Sequence, residues 1–272
     1  MALEEQPAYG TYMPTAMIFA SLPHSEPDDA FFDRRSDAHT LSIVNDPRIG
    51  LPYGKIPRVI TAFLCTQAKL QAKTTNDRRI YLGRSQAEFA KKLGLSSTGG
   101  ERGGLTRLKD QCTRLFTSKI TLIRKTDVSD RFKNVIIADE GELWGLNNAE
   151  APSLWKSWIE LSEKFYTECI EHAVPIKMDI INALRSPMAI DIYIWLTYRF
   201  NFIRTPTHIT WKQLSDQFGA DYSEQKNFSG NFKKHLRAVH ALYPDAKYIF
   251  ERGKLILLPS RTSVAARPAA SY

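Results

Sequence analysis

The feature that most constrains this chain is an order of elements that its sequence spells twice. The first copy begins with an apolar helix, Pro57–Gln71, followed by a short strand, Arg79–Leu82. Ser85-Gln86-Ala87-Glu88 then has the form of a capping box, in which Ser85 caps a helix and Glu88 reaches back. Phe89, Ala90 and Leu93 make the buried face of that short helix, and Gly94 ends it. A loop, Leu95–Gly104, leads to a second helix over Leu105–Thr117, and the strand-like runs Ile120–Lys125 and Val135–Ala138 flank a polar tip at Asp127–Lys133.

The second copy starts at Ser186-Pro187, with Ser as cap and Pro at the first helical position, and runs to about Phe202. His208–Thr210 reads as a strand, and Thr210-Trp211-Lys212-Gln213 as another capping box, followed by Leu214, Phe218 and Gly219. A helix is expected from about Glu224 to Tyr243, then strands Tyr248–Glu251 and Leu255–Leu258 around a turn at Arg252-Gly253. Helix, short strand, short helix, turn, longer basic helix and hairpin is the winged-helix order. The expected fold class is α+β, mainly helical, with two tandem winged-helix domains. The expected organisation is an acidic, poorly ordered arm over 1–50, one unit over 51–145, connecting material and the second unit over 146–260, and a frayed tail over 261–272. Within the arm, Met17–Leu22 is apolar enough to dock. The segment 140–177 is acidic and rich in Trp (Trp144, Trp155, Trp158) and reads as strand and helix that pack the units together.

Charge singles out the longer helices. The formal net charge is +8, which favours a polyanionic partner. Residues 1–46 hold eight acidic and two basic side chains, whereas 102–125 hold seven basic ones and a single acid, Asp110. Residues 226–240 hold Lys226, Lys233, Lys234 and Arg237 with no acid. Clustering matters because counterion release needs several cations along one phosphate backbone.

In the first long helix Leu105, Leu108, Cys112, Leu115 and Phe116 form the core face, leaving Arg107, Gln111 and Arg114 as the expected outer stripe. Arg and Gln suit guanine and adenine edges. In the second, Phe228, Phe232, Leu236, Val239 and Leu242 anchor the helix, and Lys226, Asn227, Asn231, Lys233, Lys234 and Arg237 face outward. The hairpin tips, Arg131 with Lys133 and Arg252 with Lys254, are placed to reach phosphates or a minor groove. The Gly-rich stretch Ser97–Gly104 lacks the Gly-Lys-Ser/Thr of a phosphate loop and reads as a turn that lets Arg102 approach a backbone. Double-stranded DNA is therefore the expected partner.

Catalytic chemistry is not expected. His24, His39, His172, His208, His235 and His240 make no His-x-His or HExxH spacing, and no GxSxG or Walker motif occurs. No cofactor or metal is expected. Asp191 is read as a buried partner for Arg199 or Arg185. Cys65, Cys112 and Cys169 are odd in number and widely spaced, which argues for a reducing, cytoplasmic setting, with Cys65 and Cys112 as core residues. No signal peptide is apparent, and the apolar run Met188–Ile203 is too short and too charged to span a bilayer.

One segment points further. Val174-Pro175-Ile176-Lys177-Met178, followed by Ala183-Leu184-Arg185-Ser186-Pro187-Met188-Ala189-Ile190-Asp191-Ile192-Tyr193-Ile194-Trp195-Leu196-Thr197-Tyr198-Arg199, resembles the signature of plasmid-encoded RepA replication initiators. The likeness covers about 50–260 in layout and is most specific over 161–219. The resemblance implies tandem winged-helix domains, binding to origin repeats called iterons, local melting, and recruitment of a host replication initiator and replicative helicase. It also implies a homodimer in equilibrium with a monomer. A transcriptional regulator built from the same two units, binding an operator, is the competing expectation.

Overall fold

A computed structural model describes residues 10–19, 21–35, 39–125, 129–144, 157–219 and 225–264. The chain begins with β1 (Thr11–Pro14), α1 (Ala16–Phe19), β2 (Phe31–Arg35) and β3 (His39–Val44). Then follow α2 (Lys55–Gln71), β4 (Arg79–Gly83), α3 (Gln86–Lys92), α4 (Gly104–Thr117), β5 (Lys119–Lys125) and β6 (Asp130–Ile136). Next come β7 (Ala138–Glu142), β8 (Ser157–Leu161), α5 (Glu163–Glu171), β9 (Ala173–Ile176) and α6 (Met178–Ala183). The chain closes with α7 (Pro187–Phe200), β10 (Thr207–Thr210), α8 (Trp211–Phe218), α9 (Gln225–Leu242), β11 (Tyr248–Glu251) and β12 (Lys254–Leu257). The class is α+β.

Side-chain chemistry explains the helix starts. Ser85 Oγ accepts from Glu88 N–H at 3.1 Å, and Ser162 Oγ caps α5 by accepting from Phe165 N–H at 3.1 Å. The box at Thr210 is complete, because Thr210 Oγ1 accepts from Gln213 N–H at 3.2 Å while Gln213 Oε1 accepts from Thr210 N–H at 2.9 Å. At Ser85 it is not: Glu88 Oε2 accepts from Arg84 N–H at 3.0 Å, one residue earlier than the motif predicts.

Among the described residues four antiparallel sheets result, and their strand orders show how the two copies differ. The second copy holds β10-β12-β11, so the first strand lies beside the last strand of the hairpin. The first copy shows the same arrangement as β4-β8-β7. The hairpin equivalent to β11–β12 is therefore β7–β8, and the expected one, Ile120–Lys125 with Val135–Ala138, is an extra element. Its strands β5 and β6 instead complete a sheet of order β2-β3-β5-β6. The register Phe31↔Val44↔Lys119↔Ile136 defines that sheet.

The N-terminal residues are thus not a poorly ordered arm where they are described. Met13, Ile18, Leu22, Leu41 and Ile43 are buried, and β1 pairs with β9 in the register Thr11↔Ile176. The misreading came from the acidic, Pro-rich composition. Its few apolar residues are scattered over short strands, a one-turn helix and a loop, with no periodicity long enough to recognise.

Buried side chains of both copies form one continuous core. A buried polar cluster crosses it. Arg58 on α2 holds Asp191 on α7 with both prongs of its guanidinium, Nε to Oδ1 at 2.6 Å and Nη2 to Oδ2 at 2.6 Å. Arg58 Nη1 donates to the Gly54 carbonyl at 2.6 Å and Nη2 to the Leu22 carbonyl at 2.7 Å. His24 Nε2 lies 2.9 Å from Asp191 Oδ2, and Ser21 Oγ donates to the same oxygen. Asp191 is thus a buried ion-pair partner, but of Arg58 and not of Arg199 or Arg185. Arg199 instead lies with its Cζ 5.9 Å from the centre of the Trp195 ring. Burial alone would raise the Asp191 pKa, but Arg58 and His24 hold the carboxyl below its ordinary range. All three cysteines are free and buried. Among the described residues no helix is long and apolar enough to cross a membrane.

Candidate nucleic-acid interface

In the second copy α9 is anchored by aromatic packing. Phe228, Phe232, Leu236 and Val239 are buried. Phe232 meets Phe218 with ring centres 5.5 Å apart and Trp211 at 6.1 Å. The anchor that closes this face is Tyr243 and not Leu242, which is 40% exposed. Helical geometry then turns Asn227, Gly230, Lys234 and Arg237 outward, and all four are exposed. Asn231 and Lys233 flank them and are half-buried. Lys226 stands in the first turn of α9, and its side chain lies outside the described part of the structure.

The hairpin β11–β12 supports two of these cations. Lys233 Nζ lies 5.1 Å from the Trp211 ring centre and 5.5 Å from that of Phe250. Arg237 Cζ lies 5.8 Å from the same Phe250 ring. Cation–π contact holds both side chains over the hairpin while leaving them charged. Trp211 and Phe250 were not picked out as site residues from sequence. Tertiary packing alone brings them to Lys233 and Arg237, and no local spacing encodes it. The hairpin tip turns at Gly253, whose φ is +82°, and the Gly253 carbonyl accepts from Trp211 N–H at 3.2 Å. Arg252 beside it is exposed, and Lys254 pairs with Glu251 at 3.1 Å. Among the described residues, no carboxylate pairs with Lys233, Lys234 or Arg237. Burial lowers the pKa of the half-buried His235, and Lys234 next to it and His24 push it the same way, so α9 carries a neutral imidazole there near neutral pH.

The first copy is built differently. Arg107 and Arg102 are exposed as expected. Gln111, however, is 3% exposed: its Oε1 accepts from Tyr53 N–H at 2.9 Å and its Nε2 donates to Asp110 at 3.2 Å. Arg114 is drawn back into the fold. It pairs with Glu26 at 2.7 Å and Asp110 at 2.9 Å, and its guanidinium lies 5.3 Å from the Tyr53 ring centre. The stripe of Arg107, Gln111 and Arg114 therefore does not exist as an outer face. The stretch around 45–53 covers the last turns of α4, a non-local contact that helical period alone does not reveal.

The hairpin cations of the first copy change role too. Lys133 pairs with the buried Glu168 of α5, which also accepts from Ala16 N–H at 2.8 Å. It ties the extra sheet to α5. Arg131 is exposed on β6, beside Phe132, which is 74% exposed. The hairpin that does match β11–β12 is acidic: Asp139, Glu140 and Glu142 are exposed along β7. Arg78 pairs with Asp139 and Glu160, at 3.2 and 2.8 Å. Arg79 lies over Trp158 at 3.9 Å and faces Glu140 and Glu160 at 3.7 and 3.5 Å.

These features define a two-copy α+β chain with one cation-rich helix face, and comparison with known proteins places it. Two solved structures of domains 2 and 3 of RctB are similar in fold. One, from selenomethionine derivatives, superposes with a TM-score of 0.57 at 10% identity, covering 90% of this chain and 98% of that one. The other has a TM-score of 0.50 at 11% identity, covering 88% and 92%. No curated protein matches the sequence significantly. The model of the family described as plasmid-encoded RepA protein matches residues 51–213, more than half of the chain, and the chain belongs to this family of plasmid replication initiators. The matched range includes the signature over 174–199 and stops before α9.

Proposed function

We propose that this protein starts plasmid replication by binding repeated double-stranded DNA sequences at the origin, with no enzymatic step of its own. In this reading α2–β4–α3–α4–β7–β8 and α7–β10–α8–α9–β11–β12 are two winged-helix units, and α9 enters the major groove. The observation that carries the reading is the outer face of α9, with Asn227, Lys234 and Arg237 exposed and Asn231 at its flank on an acid-free helix. Asn suits adenine, Arg suits guanine, and Lys suits phosphate. Arg252 and Lys254 on β11–β12 add backbone contacts, as Arg102 and Arg107 do from the first unit. The proposal further includes origin melting, recruitment of a host initiator and helicase, a cytoplasmic location and a dimer–monomer equilibrium, for which the family likeness is the support.

Electrophoretic titration and permanganate footprinting on the origin of the parent plasmid test this reading. Protection of direct repeats, with unpaired thymines appearing beside them when host initiator is added, supports it. Protection without unpaired thymines favours an operator-binding regulator.

A further inference from the structure

Gly230 stands in the second turn of α9 with none of the usual structural reasons for a glycine. Gly50, Gly54, Gly83, Gly94, Gly100 and Gly253 have positive φ, which favours glycine. Gly103, Gly104, Gly141 and Gly219 have neighbouring atoms within 3.0 Å of where a Cβ would lie. Gly230 has neither feature: its φ is not positive, and a Cβ there would meet no atom within 4 Å. A mid-helix glycine is less favourable than alanine, so the fold itself gains by having a side chain here.

Its place on the helix suggests what keeps the position bare. At 100° per residue, Gly230 lies within about 60° of Lys226, Asn227, Lys234 and Arg237, at the middle of the outer face. The residues one or two turns away are thus the polar and cationic ones proposed to touch DNA. Base contacts from such a helix come from its N-terminal turns, and Gly230 is the sixth residue of α9.

We infer that the α9 backbone at Gly230 seats directly against base-pair edges in the major groove, so that Gly230 sets the depth to which α9 enters and is a specificity-determining position. This rests on the proposed DNA-binding role of α9. With no Cβ at Gly230, the exposed Asn227 and Arg237 reach the base edges about one turn before it and two turns after it. A methyl group there lifts the helix and lengthens those hydrogen bonds.

Gly230→Ala tests this with two opposed readouts. The probe is the duplex that the wild-type full chain enriches from a randomised duplex library, with an unselected duplex as control. We expect the variant to melt at a higher temperature than wild type, and to bind the enriched duplex at least about tenfold more weakly. Binding to the unselected duplex and the salt dependence are expected to stay unchanged, because no phosphate-contacting cation is altered. Equal affinity of variant and wild type for the enriched duplex overturns the inference while leaving the DNA-binding reading intact. So does an equal loss on both duplexes, which shows a general clash and not base-edge seating. If the wild type enriches no sequence, the reading of α9 fails, and the inference with it.

Discussion

The two halves of this molecule share an element order and a strand order, yet among the described residues only one presents a cation-rich face. In the second unit α9 is followed directly by its hairpin, and that hairpin gives Phe250 as a platform for Lys233 and Arg237. In the first unit β5 and β6 intervene between α4 and the equivalent hairpin β7–β8, and they recruit β2 and β3 into a sheet. The stretch leading into α2 covers the end of α4, and Asp139, Glu140 and Glu142 line the hairpin. Topology alone therefore does not make a groove reader. The same scaffold exposes cations in one place and serves internal assembly in the other, depending on what packs beside its longest helix.

The largest expected effect comes from the pair that holds the units together. Arg58 and Asp191 join the first helix of one unit to that of the other, with side chains only 4% and 9% exposed. Asp191→Ala should cost about 3–5 kcal/mol of stability, because it leaves a buried guanidinium unpaired. Replacing both partners, Arg58→Met with Asp191→Leu, should recover most of that loss. Urea denaturation of the two variants measures both terms, and a small loss for Asp191→Ala would mean that the units are not coupled through this cluster.

Next come substitutions that separate the units by what they lose. Arg237→Ala should weaken binding to the cognate repeat by about 1–3 kcal/mol with little change in stability. Gln111→Ala should do the reverse. It removes a buried acceptor from Tyr53 N–H, costing about 1–3 kcal/mol of stability and leaving DNA affinity unchanged. Thermal melts and binding titrations on both proteins check the pair.

Much of this contrast was legible in the sequence, and the rest was hidden for physical reasons. The capping boxes at Ser85 and Thr210, the apolar stripes of α4 and α9, and the acid-free run through α9 are local signals, and their helices form where those signals place them. What escaped is non-local. Which strand β4 pairs with depends on β8, more than seventy residues on. Gln111 looks like an outer residue by period alone and is buried only because Tyr53 lies over it. The docking of the described residues before α2 depends on β5, α5 and α7, none of them near in sequence.

A smaller effect is expected from acid. Burial lowers the His24 pKa despite Asp191, so as pH falls through about 6.5 the unfolded chain takes up a proton before the folded one. Stability should begin to fall there. The depressed Asp191 pKa acts with the same sign but lower down, its contribution being lost as pH falls below about 3.9. His24→Gln should flatten the upper decline only in part, since His235 is shifted the same way. Denaturation midpoints between pH 5 and 8 report the difference. An unchanged slope would show that His24 is not buried beside Asp191. The smallest effect belongs to the helix caps. Thr210→Ala should cost about 1 kcal/mol, and Ser85→Ala somewhat less because its box is incomplete, as melting temperatures will show.

The inequality of the two units is tested most directly by titrating Arg237→Ala and Arg107→Ala side by side on one protected origin repeat at fixed salt. The account predicts a loss of about fivefold or more for Arg237→Ala and no more than about threefold for Arg107→Ala. The opposite order, with Arg107→Ala the more damaging, would contradict it.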